Sequence, residues 1–419
     1  MRTAARVHRP VGARWRAVLG TVLTLVTVAG VTGLAPVPSV ASAAGPPVFR
    51  SWAPQYMTRE SSVTAEQALA DARGFDLLVA KPAIYTPYLA RMRQANPALT
   101  ILTYLNATEA NHAFGSVYPA SWFVYGPDGV KVRSSYGAWM MDPRKPGWVR
   151  TVTHQCEDQN ASSGYDGCLF DIMGPGPVLG PFGPGQASDR QPIDARTGLA
   201  WTPTDWLAAT TALGAAVRSA VAPLPVWGNS VGGGPRYFGT DGAGGTAQLL
   251  DGTDGMIAET FLRSGRAPLD PPPTLTDWQA NLDMVLDAEA RGRTLLLTTK
   301  AWTTADQAAK DQWHEFSMGT YLLGAGGLTR WVFLYDIALR STSVQPQWAA
   351  AAELGAARGS YVVNRKGLYQ RSFVGGRVLV NPGTTTVVQE LGRPFVTLDG
   401  ATVTTVTLPP SSAKVLRNN

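Results

Sequence analysis

Short apolar runs at 48–52, 75–80, 100–105, 167–172, 224–229, 255–261, 294–300 and 330–335 are separated mainly by stretches with helical character. This alternation constrains the fold more than any other feature, because apolar strands interleaved with helices build a parallel sheet whose faces the helices cover. Helices are expected over 64–73, 87–94, 147–156, 204–221 (capped by Thr204), 276–291 (capped by Thr276) and 304–323. Eight strands across roughly 300 residues are what a (β/α)8 TIM barrel with insertions requires. An open doubly wound sheet is the alternative, but no Gly-rich phosphate loop directly follows a strand. Two insertions interrupt the rhythm. The segment 107–140 carries Trp122, Tyr136 and Trp139 around a hairpin-like turn at 125–130, and a Gly- and Pro-rich loop follows the fourth strand.

From about residue 359 the pattern changes to strict alternation, with turns at Gly375-Gly376, Pro382-Gly383 and Asp399-Gly400. Period-two runs between such turns are antiparallel strands. A module this small is expected to pack on the barrel, since it buries too little surface to be stable alone. The expected organisation is therefore an export signal over 1–43, the barrel over 44–355 and a small antiparallel β-sandwich domain over 356–419.

The signal is read from Arg2, Arg6, Arg9, Arg14 and Arg16, followed by an apolar run over 17–31, Pro36, Pro38 and the small-residue sequence Ala41-Ser42-Ala43. Removing it takes five of the 36 Lys and Arg residues and none of the 30 Asp and Glu, so a net charge of +6 falls to about +1. The basicity thus belongs to the leader, and the folded part has no basic bias that would suit nucleic acid. No later stretch is long and apolar enough to span a bilayer, so a secreted chain with no stable membrane anchor is expected. In that setting the two cysteines, Cys156 and Cys168, most simply form a disulfide.

Strand C-termini of such barrels open onto the face where chemistry occurs. Two strands deliver carboxylates there: G-C-L-F-D places Asp171 and G-M-I-A-E places Glu259. A glycosidic bond is cleaved by one carboxylic acid that protonates the leaving oxygen and one carboxylate that attacks or activates water. Asp171 and Glu259 are the candidate pair, with Asp171 as nucleophile or base and Glu259 as acid. The bland reading gives each a salt bridge or a helix cap. Lys81, Asn106, Asn229, Lys300 and Asp336 also end strands and are candidate substrate contacts, Asp336 being the main rival for a catalytic role. Among aromatics, Trp52 and Trp302 are expected at the cleft, and Tyr104, Trp139 and Trp227 in the core.

Other chemistries fit less well. Gly228-Asn229-Ser230-Val231-Gly232 has the letters of a nucleophile elbow, but Gly233, Gly234 and Pro235 follow where a helix is needed, so Ser230 reads as part of a loop. His112, His154 and His314 lack ligand spacing, no cofactor is called for, and Asp241, Asp251 and Asp254 read as solvated turns in preference to a calcium loop.

The strand ending L-F-D, the later strand ending A-E-T-F, and a closing module with Tyr369, Arg371, Phe373, V-L-V-N-P at 378–382, an L-D-G turn at 398–400 and a final S-S-A-K-V-L resemble glycoside hydrolase families predicted from bacterial genomes. The resemblance covers nearly all the chain beyond the leader. It implies a secreted hydrolase of polysaccharides or oligosaccharides, with Asp171 and Glu259 in the positions of the catalytic acids. A carbohydrate-binding protein of the cell envelope that kept the barrel without turnover is the alternative.

Overall fold

The structure, a computed structural model, describes residues 48–58, 60–270, 272–336 and 344–419, so the expected leader lies outside the described residues. In chain order the first elements are Trp52–Pro54 (β1), Ala65–Gly74 (α1), Leu77–Ala80 (β2), Leu89–Ala95 (α2) and Thr100–Asn106 (β3). An inserted pair, Glu109–Ala110 (β4) and Trp139–Met140 (β5), comes next, then Pro146–Ser163 (α3), Gly167–Asp171 (β6), Pro203–Val221 (α4) and Val226–Asn229 (β7). The barrel continues through Gly234–Phe238 (α5), Leu249–Gly252 (α6), Gly255–Ala258 (β8), Leu275–Ala290 (α7), Thr294–Lys300 (β9), Gln307–Gly324 (α8), Arg330–Leu334 (β10) and Pro346–Ala352 (α9).

The eight parallel strands are ordered β1-β2-β3-β6-β7-β8-β9-β10. A parallel bridge between Ser51 and Trp331 brings the two edges together, and the Trp331 N–H donates to the Arg50 carbonyl at 3.0 Å. The expected eight-stranded barrel is thus present and nearly closed. Strands such as L-L-V-A and G-M-I-A are buried at every position. A parallel strand covered on both faces has no polar side to alternate with.

Both of the expected helix caps differ from the observed ones, and α8 begins at Gln307, capped by Asp306, in place of 304. Thr202 caps α4 and Thr274 caps α7, each accepting the N–H of an aspartate three residues on, Asp205 or Asp277. The hydroxyls of Thr202 and Thr274 also donate back to those carboxylates, at 2.6 and 2.9 Å. Both segments read T-x-T-D, and the reciprocal pair selects the first threonine over Thr204 or Thr276. Helix α3 also runs beyond its expected end at Cys156. The Cys156–Cys168 disulfide therefore clamps the body of α3 to β6.

The C-terminal strands are Val362–Val363 (β11), Tyr369–Ser372 (β12), Gly376–Asn381 (β13), Val387–Val396 (β14), Thr402–Leu408 (β15) and Ser412–Asn418 (β16). They form one antiparallel sheet ordered β11-β12-β13-β16-β14-β15. Alternation divides its side chains. Val378, Val380, Ala413 and Val415 join the barrel core, whereas Leu379, Leu391, Phe395, Val406, Leu408 and Leu416 form a core of their own. A close approach is at Gly319 of α8, where a β-carbon would lie 2.6 Å from that of Ala413. A glycine there lets helix and sheet touch.

Candidate active site

The C-terminal ends of the barrel strands surround a cleft of about 1110 Å³. Backbone register fixes its floor. Asp171, the last residue of β6, lies opposite Asn106 of β3; Asn229 ends β7, Glu259 follows β8, and Lys300 ends β9. The strands are rigid and buried, so these side chains enter the cleft from fixed points.

Asn229 joins the two carboxylates. Its Nδ2 donates to Asp171 Oδ1 at 2.8 Å and to Glu259 Oε1 at 3.0 Å, while its Oδ1 accepts the Ser230 N–H at 2.6 Å. Asp171 accepts further bonds from the Tyr104 hydroxyl at 2.6 Å and from the Ile172 N–H at 2.8 Å. Glu259 accepts the Tyr56 hydroxyl at 2.9 Å and pairs with Lys300 Nζ at 3.0 Å. The Tyr56 and Tyr104 rings stack, with centroids 4.4 Å apart and planes 8° from parallel. One aromatic pair therefore carries one donor to each carboxylate.

Burial and the charge of Glu259 push the Asp171 carboxyl above its usual range, against the pull of the bonds from Tyr104, Ile172 and Asn229. Burial, with the nearby carboxylates, also raises the Tyr56 and Tyr104 phenols, so both remain protonated donors. A third carboxyl group, Glu109 of β4, lines the same cleft and is 8% exposed. Burial first, and the Asp171 charge after it, push it up to about 7, although bonds from Ser134 and Asn106 oppose the shift.

Of the residues singled out in the sequence, Asn106, Asp171, Asn229, Glu259, Lys300 and Trp302 line this cleft. Three others do not. Trp52 is fully buried in the core, its indole N–H donating to the Leu297 carbonyl at 3.0 Å. Lys81 donates to the Thr58 and Glu60 carbonyls, which ties the segment after β1 to the end of β2. Asp336 is exposed at the end of β10, outside the cleft lining. The position after a strand thus places a residue near the mouth without deciding which way its side chain turns.

Tyr104, expected in the core, lines the cleft, and Tyr56, Glu109, Tyr136 and Arg263 were not anticipated there. Tyr136 comes from the 107–140 insertion, whose lack of a period hides which of its side chains reach the cleft. The histidines lie elsewhere. His112 packs on Trp139, His154 bonds Glu157 at 3.0 Å, and His314 is buried, accepting the Trp348 N–H at 2.8 Å. A short helix, α5, does follow Ser230, but no histidine lines the cleft to serve that residue as a base. Asp241, Asp251 and Asp254 pair with different arginines, Arg236, Arg291 and Arg218. Among the described residues no group of three or more His, Cys, Asp or Glu is placed to hold a metal ion, and no helix is long and apolar enough to cross a membrane.

Residues 93–377 match the model of a family described as hypothetical glycosyl hydrolase family 15. No curated protein matches the chain. Among solved structures, Amy13B of Eubacterium rectale superposes with a TM-score of 0.53 at 8% identity, over 90% of this chain and 97% of that one. A maltogenic alpha-amylase, AmyB of Thermotoga neapolitana, gives 0.49 at 10% identity, over 88% and 96%. The likeness to Amy13B, at 8% identity, speaks for a shared fold alone.

Proposed function

This chain belongs to hypothetical glycosyl hydrolase family 15, and from that premise we propose that it is an exported enzyme hydrolysing glycosidic bonds of a polysaccharide or oligosaccharide with Asp171 and Glu259. The observation that carries the proposal is the shared amide of Asn229. Two oxygens bound to one nitrogen at 2.8 and 3.0 Å lie within about 5.8 Å of each other. Retaining glycosidases hold their carboxyls about 5 to 5.5 Å apart, whereas inverting ones leave a wider gap for water. The separation favours retention.

In this reading Asp171 is the nucleophile. Three neutral donors orient it, and burial keeps it basic for an attacking carboxylate. Its oxygen bonds the anomeric carbon as the glycosidic bond breaks, and Glu259 gives its proton to the departing oxygen. Glu259 then takes a proton from water, which attacks the same carbon and frees Asp171. Loss of the Asp171 charge in the covalent intermediate eases this second role. The Lys300 ion pair favours a second reading with the roles exchanged, because Lys300 Nζ lies 3.0 Å from Glu259 Oε2, and a cation beside a carboxylate suits the negative charge that a nucleophile carries. Export is supported by the N-terminal pattern and by the disulfide, which persists in oxidising compartments.

The test is release of reducing sugar from a panel of glycans by residues 44–419, with Asp171→Asn and Glu259→Gln in parallel. Either substitution is expected to lower turnover by about 100-fold or more, and unchanged turnover in both would sink the assignment. Azide separates the roles. Asp171→Gly should yield a glycosyl azide of inverted configuration and Glu259→Ala one of retained configuration, and exchanged outcomes would support the second reading. Saturable glycan binding without release would favour the binding-protein alternative.

A further inference from the structure

We propose that the glycan taken by this cleft carries an anionic group, a carboxylate or a sulfate ester, and that Arg263 recognises it. The inference rests on the reading that the cleft holds a glycan, and it names the class of that glycan. Among the described residues three cations line the cleft: Lys300, Arg236 and Arg263. Two are paired, Lys300 with Glu259 and Arg236 with Asp241.

Arg263 has no carboxylate beside it among the described residues. It is 8% exposed, and only Nη2 is engaged, by the carbonyls of Ala267 and Pro268. Nε and Nη1 are buried without a partner. A guanidinium stays charged at any physiological pH, so a site that buries one without a counterion pays a desolvation cost unless a ligand supplies the charge.

The local structure holds Arg263 in this position. Leu262 precedes it at φ 65°, a left-handed conformation unfavourable for a branched side chain, and its N–H is fixed by Asn281 Oδ1 at 3.1 Å. The same Asn281 oxygen accepts the Gly234 N–H at 3.1 Å, which couples the turn to α5. On the far side the Trp302 N–H donates to the Gly265 carbonyl at 2.9 Å, and any β-carbon on Gly265 would lie 2.7 Å from the Trp302 ring. The Trp302 indole Nε1 also lacks a partner. The Trp313 ring lies 5.4 Å from the guanidinium. What results is a lobe of aromatic walls with unmatched donors at Arg263 Nε and Nη1 and Trp302 Nε1, four residues along the chain from Glu259. A neutral sugar has no group that compensates the charge, whereas a carboxylate or sulfate does.

The experiment follows tryptophan fluorescence of residues 44–419 during titration with glucuronate, glucose 6-sulfate and glucose, because Trp302 and Trp313 flank the lobe. Wild type is expected to bind at least one anionic sugar 10-fold or more tightly than glucose, with added salt weakening that preference, and Arg263→Met should reduce it to the level of glucose. The arm that responds identifies carboxylate or sulfate as the group. Arg263→Lys, which keeps the charge and serves if the Met variant fails to fold, should retain a salt-sensitive preference of smaller size. Equal affinity of wild type for all three sugars, or an anion preference untouched in Arg263→Met, overturns the proposal. Binding needs no turnover, so the outcomes separate. Hydrolysis of neutral glycans without anion preference would leave the glycosidase standing alone, and anion preference without hydrolysis would leave Arg263 recognition standing alone.

Discussion

Glu109 is bonded by the Asn106 amide and by Ser134, whereas Asp171 and Glu259 each accept a tyrosine hydroxyl. Burial lifts it from an ordinary 4.5 to about 7. A folded-state value raised above the unfolded one means that the protonated form contributes stability at low pH, fully present below about 4.5 and lost as pH rises through about 7. Glu109→Gln should therefore gain stability over wild type between those limits, reaching on the order of 3 kcal/mol above pH 7, with none of that gain at pH 4. Denaturant melts at pH 4 and pH 8 check this, and an equal difference at both would count against it. Its place in the cleft was not legible in the sequence. Glu109 sits on a two-residue strand inside an insertion with no period to read, and Tyr56 lies on the short turn Gln55–Met57 past the end of β1. Asp171, Asn229, Glu259 and Lys300 were legible because each closes a buried apolar run, which leaves a polar residue at the strand end needing a reason.

At the scale of elements, β6 carries Asp171 and is tied to α3 through the Cys156–Cys168 bridge, which spans a sequence separation of 12 residues. Closing so short a loop constrains the unfolded chain by about 3 kcal/mol. The double variant Cys156→Ser, Cys168→Ser should have a lower thermal midpoint than wild type, and dithiothreitol should lower the midpoint of wild type alone. An unaltered wild-type midpoint in reductant, with free thiols verified, would contradict this. The elements themselves were largely visible in the sequence, since apolar strands and amphipathic helices differ in period. Their ends were less so. In T-P-T-D and T-L-T-D either threonine is a chemically sound cap, and the choice depends on which one reaches the aspartate three residues ahead.

For the whole molecule, the barrel and the closing sheet share one core along α8. Lys414 Nζ pairs with Glu315 Oε2 at 2.6 Å beside the contact at Gly319. Gly319→Val should force this contact apart and destabilise the chain by about 1 to 3 kcal/mol, as overpacking does, measurable as a lower denaturation midpoint. A chain ending at residue 358 should lose solubility, because the apolar stripe of α8 facing Val378, Val380 and Ala413 would be bared. Alternation announced the strands of that sheet but not their order. Pairing of β13 with β16 joins segments separated by two other strands, and no local pattern encodes such a partnership.

That order reaches into biosynthesis. The strand made last in the module, β16, occupies the interior of its sheet between β13 and β14. While the chain emerges, the barrel is complete and α8 is present before the strand that seals it has been made. A nascent molecule thus passes through an interval with one greasy flank uncovered, which is where a holding chaperone or a translocation partner would act, and where a stalled ribosome would leave the product prone to aggregation.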